Sequence, residues 1–207
     1  MIELHTVPTG NGFKASIALE ELGLPYRVRR YDLQKGEHLT ADYLALNPVG
    51  RLPTIVDEDG PGGERVVVYG TAAILLYLAE KTGRLLPVPL AARARVYQWL
   101  GIVSSDLGPA YTGHFVFSLL APEKLPWAIE FYEQLCLRLL RPMDLQLART
   151  PFLAGEEYTI ADVIAYPVAA VSALRFPGHL NDFPAIARWA AVVGARPAVQ
   201  RGMRVGL

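Results

Sequence analysis

The chain has one cysteine, Cys136, in 207 residues. That excludes an internal disulfide framework, a Cys-x-x-Cys redox pair and any metal site built on thiolates, and it suits a reducing compartment. Charge of either sign is not in excess, since Lys plus Arg and Asp plus Glu each number 20. No nucleic acid or anionic membrane surface is therefore expected as a partner. Long apolar runs are missing too. The stretch Ile164 to Leu174 is too short for a membrane span and contains Pro167, so it reads as a buried helix. The first residues, Met1 to Thr6, show neither the basic region nor the apolar core of a secretory signal, which makes the cytoplasm the expected location. His5, His38, His114 and His179 lack partners at ligand spacing, so no metal site is expected. Cys136, set among Leu135, Leu137, Leu139 and Leu140, reads as a buried inert thiol rather than a nucleophile. Ser104-Ser105-Asp106 has no histidine nearby in sequence to suggest a serine triad.

What the chain does have is a patterned first eighty residues. Glu3 to Val7 reads as a strand, and Pro8-Thr9-Gly10-Asn11-Gly12 behind it is a cluster of turn formers. A helix carrying Phe13, Ile17, Leu19 and Leu22 follows, until Gly23 and Pro25 stop it. Tyr26 to Asp32 is a second strand, and Ala41 to Leu46 a short helix. Two prolines and a glycine then bracket Asn47-Pro48-Val49-Gly50-Arg51-Leu52-Pro53, which cannot be helical and must be a shaped loop. Thr54 to Asp57 and Arg65 to Tyr69 read as strands returned on each other by a glycine-rich turn. Thr71 is the expected N-cap of a helix over Ala72 to Lys81, ended by Gly83. A crossover followed by a hairpin gives a mixed sheet flanked by helices.

Leu85-Leu86-Pro87-Val88-Pro89 is proline-stiffened and reads as a linker. No convincing strand follows. Helical periodicity covers Ala91 to Leu107, resumes after Gly108-Pro109 towards Leu120, and returns over Pro126 to Leu147. Thr159-Ile160-Ala161-Asp162 is a capping box at the head of a further apolar helix, and two short helices, Pro184 to Val193 and Ala198 to Val205, close the chain. The expected organisation is α/β plus all-α: a domain over residues 1–82, a linker over 83–90, and an all-helical domain over 91–207.

The loop after the first strand opens a helix, so its backbone N–H groups favour an anion. Gly10-Asn11-Gly12-Phe13-Lys14 lacks the Gly-Lys-Thr/Ser ending and preceding spacing of a phosphate loop. On residues alone, Thr9 is a helix cap before it is a chemical group, and the Leu52–Pro53 bond is trans before it is cis.

In combination, Asn47 to Pro53, Ala73-Ile74 with Tyr77-Leu78, Gly155 with Thr159 to Asp162, and Arg196-Pro197-Ala198-Val199 resemble the cytosolic glutathione transferases across the whole chain. The resemblance implies an N-terminal thioredoxin-like sheet with flanking helices, a C-terminal helical bundle, a cis Leu52–Pro53 bond, and glutathione as co-substrate with no metal. It implies that Leu52 pairs through its backbone with the cysteinyl part of glutathione, with Arg51 and Pro53 beside it. Pro8 to Lys14 is similar to the loop of the nu-class bacterial enzymes, which implies that Thr9 and Asn11 activate the thiol. The family places an acidic residue and a serine before its third helix, where this chain has Gly70-Thr71. Thr71 is then expected to receive the γ-glutamyl carboxylate, and Asp106 of a partner subunit in a homodimer to supply the missing charge. Conjugation to a small apolar electrophile, or reduction of disulfides or peroxides, is expected in a cleft with groups such as Tyr111 and Phe115. The alternative is a transferase-like binding or scaffold protein that has lost the activity.

Overall fold

The computed structural model describes residues 1–175 and 179–207, with side chains described outside 171–179. The side chains of Leu174, at the end of the apolar run, and of His179 therefore lie outside what is described. The residues group into two compact units, 1–87 with 193–207, and 88–192.

The first unit is built on a four-stranded mixed sheet of order β2-β1-β3-β4. Its strands are β1 (Ile2–Thr6), β2 (Tyr26–Arg30), β3 (Thr54–Asp57) and β4 (Val66–Tyr69). β1 runs parallel to β2 and antiparallel to β3, and β3 and β4 form the expected hairpin. Registry decides what meets at the sheet's ends. His5 lies opposite both Arg29 and Thr54, and Thr54 lies opposite Tyr69. The exits of β1, β2 and β4 and the entrance of β3 consequently share one edge of the sheet.

The helices of this unit are α1 (Gly10–Leu22), α2 (Ala41–Leu46), α3 (Thr71–Thr82) and α9 (Pro197–Gly202). Ile17, Ala18 and Leu19 of α1 and Ile74, Leu75 and Leu78 of α3 are fully buried, the apolar faces that the sequence periodicity described. Thr71 is not the cap of α3. It is the first helical residue, and Gly70 occupies the cap position with φ 86° and ψ 120°, a backbone region that a residue with Cβ rarely adopts.

α9 was expected to belong to the helical domain, yet residues 193–207 group with the first unit. The cause is local. Ser16 Oγ donates to the Gly202 carbonyl at 2.7 Å, and a Cβ on Gly202 would lie 2.6 Å from the Ile17 backbone, so α9 approaches α1 as closely as two backbones allow. Arg196 and Glu21 add a two-pronged ion pair at 2.6 and 2.8 Å.

The second unit is helical, with α4 (Leu90–Ile102), α5 (Gly108–Phe115), α6 (Pro126–Leu147), α7 (Ile160–Arg175) and α8 (Pro184–Gly194). The break expected at Gly108-Pro109 does not occur. Val103–Leu107 is a π-helical turn that carries α4 into α5, with the Gly108 N–H reaching back to the Val103 carbonyl. The wider turn relieves the clash that a proline ring imposes on the preceding helical turn. A second π-helical turn, Val116–Leu120, follows α5. The capping box forms as expected: the Asp162 carboxylate accepts from the Thr159 N–H at 2.9 Å and also from the Leu153 N–H and Trp189 Nε1. Cys136 is buried on α6, and desolvation pushes its thiol up to about 12. Among the described residues no helix is long and apolar enough to cross a membrane.

Gly202→Ala is expected to destabilise the protein by about 1–3 kcal/mol, because the added methyl group must push against backbone rather than a flexible side chain. A denaturant midpoint equal to the wild type's would show that α9 does not depend on this approach.

Candidate active site

The shared sheet edge collects four chain segments: Pro8–Gly12 after β1, Tyr31–Glu37 after β2, Arg51–Pro53 before β3, and Gly70–Thr71 after β4. A cavity of about 590 Å³ opens there, bordered by Val7, Thr9, Tyr31, Gln34 and Glu37.

The loop before β3 is fixed from beneath by a closed set of hydrogen bonds. The Leu52–Pro53 peptide is cis. The Arg51 carbonyl accepts from Tyr43 Oη at 2.6 Å and from Asn47 Nδ2 at 2.7 Å. Tyr43 has a single hydroxyl proton, and it is given to Arg51. Its 2.8 Å contact with Thr54 Oγ1 must then run the other way, with Thr54 donating, while Thr54 Oγ1 itself accepts from Asn47 Nδ2 at 3.1 Å. Asn47 Oδ1 takes the Val49 N–H at 3.0 Å, which closes the turn. Asn47 is 2% exposed, and Tyr43 and Thr54 are buried as well, so the bonds that these three side chains make to one another are shielded from competing water. The Leu52 side chain packs on Val7, Tyr31 and Tyr43, whereas the Arg51 side chain is exposed.

The head of α1 is tucked under the end of β1. A Cβ on Gly12 would stand 2.1 Å from the Val7 carbonyl oxygen, so only glycine lets the helix begin this close. Thr9 is its N-cap, extended in backbone, and Oγ1 accepts the Gly12 N–H at 3.3 Å. The expected capping role is thus present, and it occupies one of the oxygen's two lone pairs. The hydroxyl proton is left to donate.

Asn11 shows the same bias. Lys14 Nζ, which can only donate, lies 3.0 Å from Asn11 Oδ1, and this fixes which end of the amide faces the lysine. The Asn11 NH2 group is turned the other way. Thr9 and Asn11 are exposed side by side and present donors, and Gly10, Asn11 and Gly12 occupy the first turn, whose N–H groups have no intrahelical partner. The arrangement suits an anion.

Lys14 was missed in the sequence reading. It is 3% exposed, and burial pushes its ammonium down to about 8. Its signal in the sequence was a lysine on an otherwise apolar helical face next to a glycine-rich turn. Thr71 sits half-buried at the head of α3, after Gly70, where a Cβ would meet nothing within 4 Å. Thr9, Asn11, Arg51, Leu52, Pro53 and Thr71 are therefore gathered at one edge. Asp106 belongs to the second unit, exposed on the π-helical turn, with its carboxylate accepting from Ser105 Oγ at 2.6 Å. Tyr111 and Phe115 are half-buried residues of α5.

Two family models match the sequence: the glutathione S-transferase N-terminal domain over residues 11–81 and the C-terminal domain over 127–191. The disulfide-bond oxidoreductase YfcG of Escherichia coli (strain K12) is 38% identical, over 98% of this chain and 94% of its own length. A glutathione transferase family member from Pseudomonas fluorescens pf-5, solved with two glutathione bound, superposes with a TM-score of 0.92 at 36% identity, over 98% of this chain and 92% of that one. A glutathione transferase from Pseudomonas putida, solved with one glutathione disulfide per subunit, gives a TM-score of 0.91 at 32% identity, over 99% and 91%.

Asn47→Ala takes the acceptor from the Val49 N–H and removes a donor from both Arg51 and Thr54. It is expected to cost about 3 kcal/mol of stability and to speed amide exchange through residues 49–52. Unchanged exchange there would show that the turn holds without Asn47.

Proposed function

This chain belongs to the glutathione S-transferase family, and from that premise we propose that it is a glutathione-dependent enzyme whose activated thiolate attacks a disulfide or an electrophile. The carrying observation is the pair of donors, the Thr9 hydroxyl proton and the Asn11 NH2 group, that the head of α1 leaves available. On this reading the glutathione sulfur lies there, the cysteinyl main chain pairs with the backbone of Leu52 beside Arg51 and Pro53, and the γ-glutamyl carboxylate meets the N-terminus of α3 at Thr71.

Lowering a thiol pKa from roughly 8.5 to 6.5 requires about 2.7 kcal/mol in favour of the thiolate. A hydroxyl and an amide supply on the order of 1 kcal/mol each, and a helix start roughly 0.3–1, so the demand is met when all three act together. In the disulfide reaction the thiolate attacks one sulfur of the substrate, a mixed disulfide with glutathione forms, and the other sulfur leaves as a thiolate that takes a proton. A second glutathione then resolves the mixed disulfide, giving glutathione disulfide and the second thiol. Both electrons come from glutathione, consistent with Cys136 being buried and held as a thiol. Disulfide reduction is favoured over conjugation by the name of the E. coli relative and by the disulfide bound in the P. putida enzyme.

The reading extends to a cytoplasmic homodimer with a linker over residues 83–90 between domains. There, Asp106 of one subunit would supply the charge for the ligand's amino group that Gly70 lacks. Asp106→Ala is expected to weaken glutathione binding severalfold by calorimetry, and unchanged affinity would remove it from the site. Gly70 is also the observation that favours a non-catalytic binding or scaffold protein. Retention on immobilised glutathione followed by disulfide-reduction and conjugation assays separates the two, and neither retention nor activity would overturn the enzyme. In an active enzyme, Thr9→Ala is expected to lower turnover roughly fivefold without abolishing it, since one donor of about 1 kcal/mol is lost. Thr9→Ser should restore the rate. Wild-type turnover in Thr9→Ala would exclude the hydroxyl from the reaction.

A further inference from the structure

Lys14 projects from the first turns of α1 back toward the helix start, as side chains on a helix do. It therefore places an ammonium at the positive end of the helix dipole, where a cation is disfavoured. The group is almost wholly buried, and its one assigned polar contact is the neutral Oδ1 of Asn11. Among the described residues no carboxylate is paired with it. The charged groups of the elements packed on α1 are engaged elsewhere or remote in sequence from this turn. Glu20 and Glu21, at the far end of α1, pair with Arg201 of α9 and with Arg196. On β1, Glu3 lies beside His5 and pairs with Arg27. On α3, Lys81 pairs with Asp57 and Glu80 is exposed. A buried cation with no counter-charge, at the wrong end of a dipole, is an electrostatically unfinished arrangement. An anion held just outside the helix start would complete it.

We propose that Lys14 is a positioning residue for the thiolate, holding the Asn11 amide with its NH2 toward the sulfur and supplying from beneath the positive charge that favours the ionised thiol. The inference rests on the glutathione reading above and deepens it. Lys14 acts through Asn11 and does not itself touch the reacting atoms. Its burial limits screening of the charge by water, and its hold on Asn11 Oδ1 leaves the exposed NH2 group as the donor. Burial that pushes the ammonium down to about 8 still leaves it mainly protonated at neutral pH, where the thiolate is needed.

The test uses the full chain with glutathione and, as a ligand that has no ionisable thiol, S-methylglutathione. The ionisation of the bound thiol is followed by thiolate absorbance across a pH series, and the affinity for both ligands by calorimetry. Lys14→Met is expected to leave roughly tenfold less bound thiolate at neutral pH and to lower kcat in proportion, with S-methylglutathione affinity within about twofold of wild type. Lys14→Arg should recover most of the thiolate. Lys14→Gln retains a donor for Asn11 but no charge; it should lose thiolate as well, and it serves should the methionine variant fail to fold.

The ligand-free protein gives a second readout. A depressed ammonium pKa means the unfolded chain holds this proton more tightly, so stability should rise with pH between about 8 and 10.5, and the rise should be absent in Lys14→Met. Unchanged ionisation of bound glutathione in both neutral variants would overturn the inference, as would an equal loss of affinity for both ligands. A wild-type chain that binds no glutathione would overturn the enzyme reading and this inference together.

Discussion

The Arg51 carbonyl is the fixed point of the first unit. It receives two short hydrogen bonds from buried donors, Tyr43 Oη and Asn47 Nδ2, and both donors also touch Thr54, the first residue of β3. One oxygen thus ties α2, the turn of residues 47–50 and the sheet together. Because Thr54 is registered against both His5 and Tyr69, the orientation set at Arg51 is carried to the ends of β1 and β4. The loops at that edge are placed by a rigid ladder and not by their own preferences. A sheet-anchored loop of this kind can present its next peptide to an extended ligand in one fixed orientation, which lowers the ordering cost of binding.

A second constraint works against stability. Burying Lys14 disfavours its charged form, and no carboxylate offsets the loss among the described residues. Apolar residues of similar volume would be preferred on stability alone. Such local conflict with folding is what functional sites show, because groups arranged for a ligand are incomplete without it. Asp162 makes a contrast. It too is buried, and desolvation raises its pKa, but four donors from Leu153, Thr159 and Trp189 surround it. That carboxylate is finished by the protein itself and serves the fold.

Much of this was legible in the residues. Alternation and turn formers located all four strands, and the Thr159–Asp162 pattern located its capping box, because each depends on local chemistry. What could not be read was set by distant partners. Thr71 looked like a cap, but Gly70 takes that position with a positive φ that the sequence does not advertise. Gly108-Pro109 looked like a break, but a π-helical turn upstream absorbs the proline. The tail joined the first unit because Gly202 meets Ile17 across most of the chain length. Thr9 and Asn11 were expected from the likeness of their loop to that of the nu-class enzymes, whereas Lys14 was not expected, since burial of a lysine emerges only when the helix is packed in the fold.

The Arg51 lock also determines which parts of the site are free to vary. Its hydrogen bonds use the carbonyl of residue 51, and the side chain of Arg51 is exposed. Nothing in the lock depends on what that side chain is. Asn47 has no such freedom, for its amide uses both ends: Oδ1 to Val49, Nδ2 to Arg51 and Thr54. Aspartate would lose the donor, and glutamine would displace both ends by a methylene. Tyr43 likewise must supply one proton to Arg51 and accept one from Thr54, which phenylalanine cannot do. The side-chain chemistry at the surface of this loop can therefore change at Arg51 while the geometry beneath it stays the same.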